Sequence, residues 1–286
     1  MRLPILPLVF VSASVLSLAH AEPLVKSGDS VAFLGDSITQ GGWQKAGGYV
    51  QLVKAGLAKN GIEITVIPAG ISGNKSNDML GRVNGILEKK PTWMTLSCGV
   101  NDVWHSKSGR GVELEDYKKN ITEIVDRAEK AGTKVMLLTA TLIGPKTDDE
   151  LNTKAKPYNA FLRELAAQRN LPLADLSEDM IKAQGPDGKL ATLTGDGVHM
   201  NFLGDQMMAR GVLRSFGLND EQLTAAVAQW QTLPDTVMIQ PKVGLTAQQA
   251  AAMEAMAKAE NKSVEAYLTD VASAAIKAKL DSVKPQ

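Results

Sequence analysis

Ser37 ends the run Val31-Ala-Phe-Leu-Gly-Asp-Ser37, in which a short apolar stretch leads straight into Gly-Asp-Ser. A serine hydroxyl is barely ionised at neutral pH, so its use as a nucleophile requires a base to take its proton as it attacks. His199 closes Gly195-Asp-Gly-Val-His199, which sets Asp196 three residues ahead of it. One turn of loop lets that acid reach back to the imidazole and fix its tautomer. Ser37, Asp196 and His199 are therefore the expected nucleophile, orienting acid and base. Ester hydrolysis also needs donors aimed at the developing oxyanion. The candidates are the amide of Ser37, the backbone at Gly73 in Gly70-Ile-Ser-Gly73, and the side-chain amide of Asn101 in Gly99-Val-Asn-Asp102.

These residues act together only if strand ends gather them on one rim. Short apolar runs at Val31–Leu34, Ile62–Ile67, Trp93–Cys98, Lys134–Thr139 and Leu171–Asp175 read as strands. Between them Tyr49–Lys59, Asn77–Leu87, Leu114–Ala131 and Thr153–Gln168 carry apolar residues at three- and four-residue intervals, as amphipathic helices do. A helix over Leu203–Ser215 follows the histidine. This alternation predicts an α/β fold, a parallel sheet with helices on both faces. Ligands bind such sheets at the carboxyl ends of the strands, where Ser37, Gly73 and Asn101 all fall.

Residues 1–21 carry one charge, Arg2, then a mostly apolar stretch and Ala19-His20-Ala21. That is the pattern of a secretory signal peptide, and it predicts a periplasmic or secreted protein. The stretch is short and broken by Pro4 and Pro7, which argues against a lasting membrane anchor. Without Arg2 the 31 basic side chains become 30, against 31 acidic, so the basic surplus of a nucleic-acid binder is missing. The single cysteine, Cys98, excludes an internal disulfide, and the few histidines form no zinc pattern. Beyond residue 216 the pattern changes to a helix at Leu218–Trp230 and a proline-marked linker. Thr246-Ala-Gln-Gln249 then opens an alanine-rich helix with a capping box, and a second helix starts near Ser263. The expected domains are a signal peptide at 1–21, a hydrolase body at 22–216, a helix and linker at 217–245, and a helical pair at 246–286. That pair packs on the body or serves as a docking surface, and oligomeric state is not legible.

The segments around Ser37, Gly73, Asn101 and Asp196–His199 resemble the four blocks of the SGNH hydrolases, the GDSL-type esterases and lipases. The resemblance covers roughly residues 29–216, with Met200 standing where many relatives have proline. It implies a flavodoxin-like α/β/α sandwich with sheet order 2-1-3-4-5 and no metal or other cofactor. It also implies Ser37 as nucleophile and Gly73 and Asn101 as oxyanion donors. Substrates in such a family range over acetylated polysaccharides, small acyl esters, lysophospholipids and thioesters. Export favours deacetylation of a carbohydrate, with Asp36, Trp43, Trp104 and His105 as candidate substrate contacts. His105 reads equally as a polar loop residue. The alternatives are a lysophospholipase or short-chain lipid esterase or thioesterase and, in a different class, a non-catalytic carbohydrate-binding protein.

Overall fold

The computed structural model describes residues 22–144, 146–183, 193–234 and 244–282. The expected signal peptide lies outside them. Five parallel strands form one sheet in the order β2-β1-β3-β4-β5. They are β1 (Ser30–Gly35), β2 (Thr65–Gly70), β3 (Trp93–Ser97), β4 (Lys134–Leu138) and β5 (Leu173–Ala174). β1 and β3 are buried almost throughout, as strands covered on both faces must be. Leu34 stands opposite both Ala69 and Leu96, and Gly35 opposite Gly70. The carboxyl ends of β1, β2 and β3 thus finish level with one another.

The helices are α1 (Ser37–Gln44), α2 (Tyr49–Lys59), α3 (Ser76–Leu87), α4 (Val100–Trp104), α5 (Leu114–Lys130), α6 (Glu150–Arg169), α7 (Leu176–Lys182), α8 (Phe202–Ser215), α9 (Asp220–Trp230), α10 (Ala247–Ala259) and α11 (Val264–Asp281). α2, α8 and α9 pack together as one layer, and α3, α5 and α6 as the other. This is the three-layer α/β/α sandwich of the SGNH hydrolases, with the expected strand order. Aromatic edges close the core: Trp93 meets Phe216 at 5.5 Å and Phe33 meets Tyr49 at 6.2 Å.

Three elements differ from the pattern in the sequence. The second strand begins at Thr65 and not at Ile62, and runs through Pro68 to Gly70. β2 is the sheet edge, where a residue without an N–H leaves no ladder bond unmade. The body does not end at residue 216. Trp230 of α9 is fully buried and donates its indole N–H to the Leu52 carbonyl at 2.8 Å, so α9 belongs to the core. The sixth helix starts at Glu150 and tolerates Pro157, which lies on its exposed face where water can serve the carbonyl left unpaired.

By backbone proximity the chain divides into a unit reaching Val237 and a second unit beyond it. In the second unit α10 and α11 pack on each other. Thr246 and Gln249 form the expected capping box, and Ser263 caps α11. Because the first unit holds all five strands and the core around Trp230, a chain ending at residue 237 is expected to unfold in one cooperative urea transition. Its turnover of small esters should stay within a few-fold of the full chain. A non-cooperative transition in the shortened chain would show that the second unit completes the core.

Candidate active site

β1 delivers Ser37 to the rim through a tight join. A Cβ on Gly35 would come within 2.0 Å of the Thr39 hydroxyl, so only glycine lets α1 begin this close to the strand. Asp36 caps α1, its carboxylate accepting the Ile38 N–H at 2.9 Å. Ser37 is then the first helical residue, and its N–H finds no acceptor among the described residues. It is one of the donors that a helix start leaves open.

His199 arrives from a short loop between Thr194 and Met200, which bridge each other as antiparallel partners. Within that loop Gly197 has φ +90°, a conformation that favours glycine. Asp196 uses one carboxylate oxygen to accept the backbone N–H groups of Val198 and His199, at 3.0 and 2.8 Å. Its other oxygen lies 2.7 Å from His199 Nδ1. On the far side of the ring His199 Nε2 is 2.9 Å from Ser37 Oγ. With Nδ1 carrying the proton, Nε2 is free to accept from the serine, the geometry of a general-base relay. Burial by itself would raise the Asp196 carboxyl, but the bonds from the His199 ring and from two backbone amides outweigh it and hold it at about 2.

The other expected donors border the same rim. Gly73 has φ +77°, and its N–H has no acceptor among the described residues. Asn101 is the second residue of α4 and is buried. Its amide donates to the Asn74 carbonyl at 3.1 Å and lies 3.4 Å from Asp36. The second contact is at the long end of hydrogen bonding, so that N–H is the one an arriving oxyanion could capture.

The four candidate substrate contacts are placed differently from one another. Asp36 is buried and engaged as the α1 cap, and Trp43 packs partly against the core. Trp104 is 39 % exposed and His105 is half-buried beside it. Asp102 precedes His105 by three residues, the same spacing that joins Asp196 to His199. The structure keeps that pair apart: the Asp102 carboxylate is fully buried and accepts the N–H and hydroxyl of Ser76 at 3.0 and 2.5 Å. It thereby ties the start of α4 to the start of α3. Asp205, which no sequence motif marks, is also buried and accepts the Tyr49 N–H at 2.9 Å, joining α8 to α2 behind the histidine. As an acid in the first turn of a helix it carried no other signal in the sequence.

Burial raises Asp205 to about 7 and Asp36 to about 6, whereas the same carboxyls in an unfolded chain titrate at about 3.9. Between those values each of these two groups binds more protons in the folded protein than in the unfolded chain, so each takes stability away as pH rises from about 4 to 7. Asp205→Asn keeps an acceptor for Tyr49 and removes one of these titrations. Its urea midpoint is expected to vary less with pH over that interval than the wild-type midpoint. An unchanged slope would mean that Asp205 ionises in the fold as it does in water.

The model of the GDSL-like Lipase/Acylhydrolase family matches residues 33–207. An acetylxylan esterase of Geobacillus stearothermophilus is 27 % identical over 215 residues, covering 68 % of this chain and 96 % of the relative. Esterase TesA of Pseudomonas aeruginosa is 29 % identical over 186 residues, covering 63 % of this chain and 81 % of its own. The crystal structure of an acetyl xylan esterase, AlAXEase, superposes with a TM-score of 0.61 at 34 % identity, over 65 % of this chain and 98 % of the other. The non-catalytic reading therefore falls away. The chain belongs to the GDSL-like lipase/acylhydrolase family, within the SGNH hydrolases, and is a carboxylic-ester hydrolase.

Proposed function

We propose that the protein is an exported serine esterase that removes small acyl groups, acetyl foremost, from carbohydrate through an acyl-enzyme on Ser37. The observation that carries the mechanism is the unbroken link from Asp196 through His199 to Ser37, with contacts of 2.7 and 2.9 Å. Ser37 Oγ attacks the ester carbonyl as His199 Nε2 takes its proton, and Asp196 steadies the imidazolium that results. The N–H groups of Ser37 and Gly73 and the Asn101 amide receive the negative oxygen. Collapse of this intermediate expels the alcohol, which takes the proton from His199. Water then repeats the sequence on the acyl-enzyme, with His199 again as base.

Three features support the substrate. Two of the relatives above bear acetylxylan in their names. The His199 and Asp196 side chains are 43 % and 56 % exposed, an open site that a bulky alcohol such as a sugar chain can approach. A narrow cleft beside Ser37, lined by Ile38, Lys45, His199, Met200 and Asp205, has an accessible volume of roughly one water and offers no room for a long acyl chain. Export rests on the pattern of residues 1–21, which lie outside the described residues. No helix among the described residues is long and apolar enough to cross a membrane.

A second reading, a lipid esterase or thioesterase, is favoured by Ile71, Trp104 and Leu203. These exposed apolar side chains stand in the segments that carry Gly73, Asn101 and His199. A p-nitrophenyl ester series from acetyl to decanoyl, with acetate release from acetylated xylan and pectin, separates the two. The proposal expects acetyl to give the highest kcat/KM, with about a tenfold or greater loss by butyryl. A maximum at decanoyl would favour the lipid reading. Ser37→Ala should abolish turnover and fluorophosphonate labelling while changing stability by less than about 1 kcal/mol. Asn101→Ala should lower kcat by about 10² to 10³, with a smaller change in KM.

A further inference from the structure

Arg82 lies on α3 among the buried residues Met79, Val83 and Ile86, and is itself half-buried. An aspartate four residues ahead of an arginine on a helix ordinarily pairs with it. Asp78 stands in that position, but its carboxylate accepts the Lys75 N–H at 2.9 Å instead. Arg82 turns inward and meets no carboxylate within ion-pair distance among the described residues. Burial accordingly draws its pKa downward, a cost that calls for strong compensating bonds.

Those bonds converge on the rim. One terminal nitrogen of the guanidinium donates to the Gly35 carbonyl at 2.9 Å and to the Ala69 carbonyl at 2.8 Å. Its Nε donates to the Asn74 side chain at 2.7 Å. Gly35 lies two residues before Ser37, Ala69 lies near the end of β2, and Asn74 directly follows Gly73. The Asn74 carbonyl in turn receives the Asn101 amide at 3.1 Å. One planar cation therefore touches every segment that supplies an expected oxyanion donor, either directly or through Asn74. A lysine has one nitrogen to place where arginine places a rigid fork.

We propose that Arg82 is the positioning residue of the oxyanion hole, holding the ends of β1 and β2 and the Gly73–Asn74 turn in the arrangement that the transition state requires. It never touches substrate; its effect passes through Gly73, Asn74 and Asn101. The proposal rests on the reading of Gly73 and Asn101 as oxyanion donors. Transition-state donors must be fixed in advance, so a small displacement of that turn should cost rate more than ground-state binding.

The test measures kcat and KM on an acetyl ester for Arg82→Gln, Arg82→Lys, Asn101→Ala and the Arg82→Gln/Asn101→Ala double variant, each checked for folding by its urea transition. Arg82→Gln is expected to lower kcat by about 10²-fold with KM within about threefold, and Arg82→Lys to lose less. Fluorophosphonate inactivation should slow in parallel. The double variant should be little worse than Asn101→Ala alone, because both changes disable one hole. If Arg82→Gln does not fold, Arg82→Lys carries the test through the same split between kcat and KM. Loss of stability with kcat retained would overturn the proposal and leave Arg82 a structural staple. So would fully additive losses in the double variant. An unchanged kcat in Asn101→Ala would instead remove the oxyanion hole on which the proposal rests.

Discussion

Ser37 and His199 are 162 residues apart in the chain, yet Ser37 Oγ and His199 Nε2 stand 2.9 Å from each other. That distance depends on where β1 stops and where α8 begins, and most of the architecture serves to fix the two. β1 lies second from the sheet edge between β2 and β3, paired on both sides in a register that ends all three strands level. α8 is capped by Asn201, two residues after the histidine, and is joined to α2 through Asp205 and Tyr49. A slip in either element would carry hydroxyl and imidazole out of hydrogen-bonding reach, which is the physical reason for such dense bonding behind the site.

That bonding relies on buried carboxylates that have no Lys or Arg within ion-pair distance among the described residues. Asp36 caps α1, Asp102 ties α3 to α4, and Asp205 ties α2 to α8; each lies in or near a segment bearing the active-site residues. The donors are N–H and hydroxyl groups, which satisfy the oxygens and leave much of the desolvation cost standing. Asp196 is the counterpart: more exposed, with a histidine ring and two amides around one carboxylate, it is held below the usual carboxylate range. One rim thus holds carboxyls displaced in opposite directions. The lowered one is bonded to the His199 ring, and the raised ones join the elements around it.

Much of this was legible in the residues. The continuous apolar runs of β1, β3 and β4 could be read because both faces of the sheet are covered, and the Asp196–His199 pair because its three-residue spacing closes within one turn. The second strand was misplaced because Pro68 is acceptable only at an edge, and edge position is a property of the whole sheet. The extent of α1 was not legible because Gly41 and Gly42 weaken its helical signal, while packing against Tyr49 requires the lack of a side chain at Gly42. The spacing of Asp102 and His105 copies that of Asp196 and His199, and only the burial of Asp102 against Ser76 separates the two cases. Arg82 left one trace, a cation inside the stripe of Met79, Val83 and Ile86, with nothing in the sequence to say which carbonyls it would meet.

On the proposed mechanism, acyl transfer passes through Ser37 with His199 as the base. Rapid acid quench during steady turnover of an acetyl ester, followed by peptide mass mapping, tests it most directly. One acetyl group is expected on the peptide containing Ser37, formed and lost at rates compatible with kcat. Turnover with no acyl adduct, or with the adduct on another residue, would contradict it.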